Sequence, residues 1–138
     1  MSYKFLEHTA DALFEVNAKN IEKIFIDAAK ALTEIQVNIK KVKRKEKYEI
    51  NIKDKDIEQL LFNWLSELIF VKDTKQLIFS KFDLKIEKND YYILKAICYG
   101  EKINPKQEPK ADAKAITMHE FKLWKENSIW KARVLVDI

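Results

Sequence analysis

The sequence predicts an α+β domain in which two helices pack on a mostly antiparallel sheet. Two segments carry apolar residues at helical spacing, and several others alternate apolar and polar residues as strands do. Short polar breaks between those strands favour hairpins. The length of 138 residues suits one domain spanning 1–138.

The N-terminal third predicts two strands and a helix. Short strands are expected at 3–8 and 12–17, on either side of the polar segment 9–11. A helix is expected at about 20–35, with Asn20 as its N-cap. Its apolar stripe consists of Ile21, Ile24, Phe25, Ala28 and Leu32.

The middle of the chain predicts a strand followed by the second helix. Residues 48–52 alternate apolar and polar side chains, which is typical of a half-buried strand. The helix is expected at about 56–71, where Asp56 and Gln59 resemble a capping box. Its stripe is broad and consists of Ile57, Leu60, Leu61, Trp64, Leu65 and Leu68.

The remainder predicts β structure. A strand with alternating charges at 82–86 leads through the turn Asn89-Asp90 into a strand at 91–99. That second strand is apolar on both faces, so we expect it to be central. Residues 101–113 are expected to form a loop, because they are polar and contain both prolines.

A final hairpin is predicted to join strands at 115–124 and 129–137 through Asn127-Ser128. His119 has the same parity as Phe121 in the first of these strands, so we expect its side chain to face inward. A lone inward histidine is usually a hydrogen-bonded core residue rather than a catalyst.

The composition excludes several classes of protein. Cys98 is the single cysteine, so we expect neither an intrachain disulfide nor a cysteine-based zinc site. This cysteine content is typical of a cytoplasmic protein. A thiol in an apolar strand has a raised pKa and is a poor nucleophile. The single glycine excludes glycine-rich phosphate loops. No apolar run reaches about 18 residues, so we expect no membrane association.

The net charge is +4, and basic residues concentrate at 40–47. This segment contains six basic residues and one acidic residue, Glu46. One interpretation is a patch that contacts RNA phosphates. The other is a solvated loop in a lysine-rich chain. No aromatic residue interrupts the run before Tyr48, which favours the solvated loop.

Acidic residues at the two ends of the sequence offer a candidate metal site. Asp11 follows the first strand, and Asp137 stands beside Ile138, whose terminal carboxylate adds a third acid where the chain ends there. Carboxylates suit Mg²⁺, Ca²⁺ or Mn²⁺. The alternative is that Asp11 makes an Asx turn and Asp137 is an exposed strand end. The site requires the first and last strands to be neighbours.

Four stretches together resemble the archease family over nearly the whole chain. They are His8-Thr9-Ala10-Asp11, the helix segment 60–68 (LLFNWLSEL), Gly100-Glu101 with the proline-containing loop and then 114–119 (KAITMH), and Val136-Asp137-Ile138. Each stretch is weak alone, but their order and spacing are specific.

The resemblance implies a protein that is not an enzyme but the partner of one. Archeases assist an RtcB-type RNA ligase in tRNA splicing and RNA repair, promoting its guanylylation and its multiple turnover. The family's divalent metal site (Ca, Mg or Mn) would fall on Asp11, Asp137 and Ile138. We expect supporting roles for His8, Thr9, Glu101, Lys114 and His119. Contact with tRNA would come through the ligase complex.

Two other functions remain open from the sequence. A basic RNA-binding module would use 40–47 and would bind RNA with strong salt dependence. A chaperone-like partner protein would need no functional metal site. An independent hydrolase is disfavoured, because the sequence offers no clear pairing of a nucleophile with a base.

Overall fold

The computed structural model describes residues 3–6 and 11–138. Its strands and helices, in chain order, are β1 (Tyr3–Leu6), β2 (Asp11–Ala18), α1 (Ile21–Gln36), β3 (Glu46–Asp54), α2 (Ile57–Lys75), β4 (Leu77–Lys88), β5 (Tyr92–Lys102), β6 (Ala115–Glu126) and β7 (Ile129–Asp137). Short 3-10 helices lie at Ile39–Lys41 and Pro105–Gln107. The described helices are each too short or too polar to cross a membrane.

The described strands form two antiparallel sheets rather than one. The first has the order β1-β2-β7-β6, and the second has the order β3-β5-β4. The α+β class with two packed helices is therefore confirmed, as is the central position of the strand predicted at 91–99. The predicted loop at 101–113 starts later, because β5 continues to Lys102.

Both predicted helix starts are confirmed by their caps. The Asn20 side chain accepts a hydrogen bond from the Lys23 N–H at 2.9 Å. The Asp56 side chain accepts from two N–H groups of the first turn of α2. The second half of the predicted capping box is absent, because the Gln59 amide donates forward to Asn63 instead. α2 also runs one turn beyond its predicted end.

The helices join the two sheets into one core. α1 packs on β2 and β7 of the first sheet and on β4 of the second, while α2 contacts strands of the second sheet and β6. Trp64 of α2 is fully buried, and its indole N–H donates to the Phe25 carbonyl in α1 at 3.0 Å. Its ring packs edge-on against the ring of Phe82 of β4, with 5.9 Å between the two ring centroids. One side chain thus contacts α1 and the second sheet together.

The prediction that His119 faces inward is wrong, and a bulge in β6 is the reason. Thr117 pairs with Leu135, but the next pair is Lys122 with Arg133. Between these two pairs β6 therefore contains more residues than β7, which is a β-bulge. Glu120 within the bulge has a positive φ of 58°. The two-residue alternation is broken there, so the His119 side chain is 76% exposed while Phe121 remains buried.

A second bulge explains the position of the only glycine. The register between β4 and β5 shifts between Phe79 and Lys81, which brings the backbone of β4 against Gly100. A Cβ atom on Gly100 would lie 1.9 Å from the carbonyl oxygen of Ile78 and 2.7 Å from the Phe79 Cα. Both neighbours are backbone atoms, so neither can rotate away.

We expect Gly100→Ala to destabilise the fold by roughly 3 kcal/mol, because the backbone of β4 has to move to admit the methyl group. Thermal unfolding of the two proteins measures this as a fall in Tm. Asn51→Ala, on the exposed side of the neighbouring strand β3, is the control and should unfold near the wild-type temperature. An unchanged Tm for Gly100→Ala would contradict the close approach.

Candidate functional site

Asp11 and Asp137 lie directly opposite each other in the antiparallel pairing of β2 with β7. Asp11 opens β2 and Asp137 closes β7, and both are half-buried. Opposite residues of an antiparallel pair project from the same face of the sheet, with Cβ atoms about 4.5–5.5 Å apart. The structure thus brings together the two carboxylates that the sequence leaves far apart.

Burial of the neighbouring residues determines this register. Phe14 pairs with Val134 and Ala12 pairs with Val136, on the face that packs against the helices. Phe14, Val134 and Val136 are fully buried. A slip of one residue would turn these side chains out of the core, so the pairing of the two aspartates follows from core packing.

Lys114 and Ile138 lie at the same end of the sheet. The Lys114 N–H donates to the Asp137 carbonyl at 2.7 Å, which extends the pairing of β6 with β7 by one hydrogen bond. Ile138 follows Asp137 directly and is 39% exposed. The Lys114 side chain is exposed. Of the predicted supporting residues that are described, Lys114 is therefore the one whose backbone touches the aspartate pair.

Lys72 is a positioning residue that the sequence analysis missed. It is only 6% exposed, and its ammonium group donates to the Asp112 carboxylate and to the Ala113 carbonyl, the latter at 2.6 Å. These contacts fix the chain just before Lys114. The predicted helix ended at residue 71, so Lys72 fell outside it and was given no role.

The donor set of the aspartate pair fits a hard divalent cation. Like charges placed directly opposite on a sheet destabilise it, and a cation between them relieves this repulsion. Carboxylate oxygens are the ligands that Ca²⁺, Mg²⁺ and Mn²⁺ prefer. In the part of the chain that the structure describes, no three His, Cys, Asp or Glu side chains group as metal ligands. The pair would thus offer two ligands to such a cation, and the terminal carboxylate of Ile138, where the chain ends there, would offer a third.

An ion pair lies further along the same face. Arg133 of β7 is opposite Glu15 of β2 and donates to it at 2.6 Å, and it lies 3.9 Å from Glu120 of the β6 bulge. Leu13 and Leu135 separate this ion pair from the aspartate pair, and both leucines are buried. The exposed His119 belongs to the same bulge as Glu120.

Glu101 lies in the other sheet, away from the aspartate pair. Its strand β5 contacts β3, β4 and α2 but neither β2 nor β7 within the described residues. Its carboxylate is buried and accepts from the Lys43 N–H at 2.9 Å and from the Gln107 amide at 3.0 Å. The Lys43 hydrogen bond is the main reason that the pKa of Glu101 is lowered, with Gln107 and the charge of Lys45 also contributing.

Two predicted supporting residues, His8 and Thr9, lie outside the described residues. Cys98 is buried in β5 as expected, and burial raises the pKa of its thiol to about 12. A thiol with that pKa stays protonated at neutral pH and is a poor nucleophile.

The architecture is shared with solved structures. The chain is similar to the solution structure of Methanobacterium thermoautotrophicum protein 1598, with a TM-score of 0.89 and 35% identity, covering 99% of both chains. It also resembles the crystal structure of an archease from Thermotoga maritima, with a TM-score of 0.66 and 20% identity over 98% of this chain and 96% of that one. The latter likeness concerns the fold alone, which is the archease fold.

The sequence comparisons agree with this class. The model of the Archease protein family (MTH1598/TM1083) matches residues 3–138. Protein archease of Pyrococcus abyssi is 41% identical over 99% of this chain and 98% of its own length. Protein archease of Pyrococcus furiosus is 37% identical with the same coverage. The chain belongs to the archease family, which confirms the resemblance seen in its motifs.

We expect Glu101→Gln to lower the free energy of unfolding at neutral pH by about 1 kcal/mol, because the amide is a weaker acceptor for the Lys43 N–H. The folded-state pKa of Glu101 is below its ordinary value of 4.5. Its contribution is therefore complete above the unfolded-state pKa and is lost as the pH falls through the folded-state pKa.

Urea unfolding of wild type and Glu101→Gln at several pH values checks this. The difference between the two proteins should be largest near neutral pH and should shrink below about pH 4. Glu87→Gln, on an exposed position of β4, serves as the control. A Glu101→Gln difference that does not change with pH would show that the carboxylate charge is unimportant.

Proposed function

We propose that this protein is an activator of an RtcB-type RNA ligase, acting in the cytoplasm in tRNA splicing and RNA repair. It is not the ligase but its protein cofactor, and it promotes guanylylation of the ligase and multiple turnover. The pairing of Asp11 with Asp137 across β2 and β7 is the observation that carries this proposal. Membership of the archease family supports it.

In this proposal the aspartate pair forms the working site. Asp11, Asp137 and the terminal carboxylate of Ile138 would hold a divalent cation, Ca²⁺, Mg²⁺ or Mn²⁺, which when bound supplies positive charge next to phosphate oxygens. Both aspartates are half-exposed, so a partner's nucleotide can approach them. Lys72 fixes the chain next to Lys114, which in turn holds the main chain of Asp137.

A chaperone-like role without a metal is the second candidate, because the Thermotoga maritima relative is described as a possible chaperone. The two functions differ in what they need from Asp11. A chaperone would bind its partner through surface area, and replacing one carboxylate by an amide of the same shape would change little. The ligase activator depends on the charge itself.

We expect Asp11→Asn to abolish the stimulation of ligase guanylylation while leaving the fold intact. The amide keeps the shape of the side chain but removes the negative charge that the cation needs. The assay follows transfer of labelled guanylate to the cognate ligase with and without this protein. Asp90→Asn in the exposed β4–β5 turn is the matched control and should stimulate like wild type. Full stimulation by a folded Asp11→Asn protein would refute the proposed role.

A divalent cation should also stabilise the isolated protein, because it binds the folded state and relieves the repulsion between the two carboxylates. At about 100 times the dissociation constant the gain is about 2.7 kcal/mol, or roughly 8 °C in Tm for a domain of this size. Thermal unfolding with Ca²⁺, Mg²⁺, Mn²⁺ or EDTA measures this. Asp137→Asn should remove the difference. Equal cation-induced shifts in both proteins would place the binding elsewhere.

A further inference from the structure

A basic groove lies between the 3-10 helix at Ile39–Lys41 and the start of β4. It has a volume of about 620 Å³, and four of its lining residues are cationic: Lys30, Lys40, Lys43 and Arg44. None of the described residues that line it is acidic. Since a groove of this kind repels cations and concentrates anions, its natural occupant is negatively charged.

The backbone of this groove is held in place rather than loosely solvated. Val42 is buried with Val37 and Ile78 in a small apolar cluster beneath it. The Ser80 hydroxyl donates to the Val42 carbonyl at 3.1 Å, and Glu101 accepts from the Lys43 N–H. The cationic side chains therefore project from a fixed frame, so binding does not first have to order the loop.

The cations of the groove form no close ion pair with a described residue, although the charge of Lys43 acts on the nearby Glu101 carboxylate. Lys45 pairs with Glu101 at 3.8 Å. In contrast, none of the ion pairs formed within the described residues includes Lys40, Lys43 or Arg44. Charges that the fold does not use are available to an external anion.

A second cationic cluster lies on the second sheet, beginning at the residue that follows Ser80 in the sequence. Ser80 lines the groove, and the next residue, Lys81, lies opposite Tyr99 of β5. Lys47 of β3 lies on the other side of Tyr99. The two ammonium groups are 5.1 Å and 5.8 Å from the centre of the tyrosine ring. Tyr99 thus lies between two cations, while its side chain also hydrogen-bonds to Asp83.

We propose that this groove and the Lys47–Tyr99–Lys81 cluster bind single-stranded RNA through its phosphates. A compact anion would need a closed set of donors around one point, whereas these cations are spread over the groove and the strands of the second sheet. Cationic grooves that lead past an aromatic side chain are the usual way to hold a single strand without sequence preference. The proposal does not depend on Asp11 or on the ligase, because the protein alone binds the strand.

Fluorescence anisotropy with a labelled oligouridylate of about 12 nucleotides tests this. The groove variant is Lys40→Gln/Lys43→Gln/Arg44→Gln. The matched control is Lys53→Gln/Lys55→Gln/Lys88→Gln, which removes the same charge at the other end of the sheet, where lysines also lie over tyrosine rings. All these side chains are exposed, so both variants should fold, which a thermal unfolding scan verifies.

We expect wild type to bind at about 50 mM salt and to lose affinity steeply towards about 200 mM. The groove variant should bind at least about tenfold more weakly, and its log–log salt slope should fall by about two, the value for three phosphate contacts to a single strand. The affinity of the control should stay within about threefold of that of wild type, because its substituted lysines lie at the other end of the sheet from the groove. Lys47→Gln/Lys81→Gln should also weaken binding.

Several results would overturn the proposal. They are no binding by wild type at low salt, equal losses in the groove variant and the control, or displacement of the RNA by polyglutamate of the same charge. The last would indicate that the groove serves an acidic protein surface. Asp11→Asn should bind RNA like wild type, so a failure of RNA binding and a failure of ligase activation are separate outcomes.

Discussion

The antiparallel pairing of β2 with β7 is the constraint on which the rest of the molecule depends. It joins strands from the two ends of the described chain at the centre of the four-stranded sheet. One face of the pair supplies buried residues such as Phe14 and Val134, on which α1 packs. The same register places Asp11 opposite Asp137. Since the contact closes a very long loop of chain, it is also among the slowest kinds of contact to form during folding.

The helices separate two surfaces with opposite chemistry. The four-stranded sheet carries the aspartate pair at one end. The basic groove is lined by residues of the segment 39–44, Lys30 of α1 and Ser80 of β4, and the three-stranded sheet carries Tyr99. Trp64 and its neighbours hold the sheets in a common core but connect neither surface to the other directly. Glu101 belongs to the basic side, where its buried carboxylate fixes the backbone of Lys43. The proposed cation site and the proposed anion site therefore lie in different parts of the fold, so each can be tested without the other.

Local pattern was sufficient for the parts of the fold that local interactions determine. The helix stripes, the Asn20 cap and the turn at Asn89-Asp90 depend on neighbours a few residues away, and each is found where the pattern predicts it. The bulge that exposes His119 has no sequence signal, because Glu120 adopts a positive φ without being a glycine. The division into two sheets and the burial of Lys72 depend on contacts with distant segments, which periodicity does not contain.

The two carboxylate pairings along β2 and β7 differ in what they contribute to folding. Glu15 faces Arg133, an arrangement of opposite charges that stabilises the pair of strands. Four pairs further along, Asp11 faces Asp137, and like charges at opposite positions cost stability. A sequence shaped by folding alone would have no use for the second arrangement, and departures from local rules concentrate at functional sites. The Glu15–Arg133 pair shows that these two strands accept an arginine opposite a carboxylate, so the fold does not require two aspartates at facing positions.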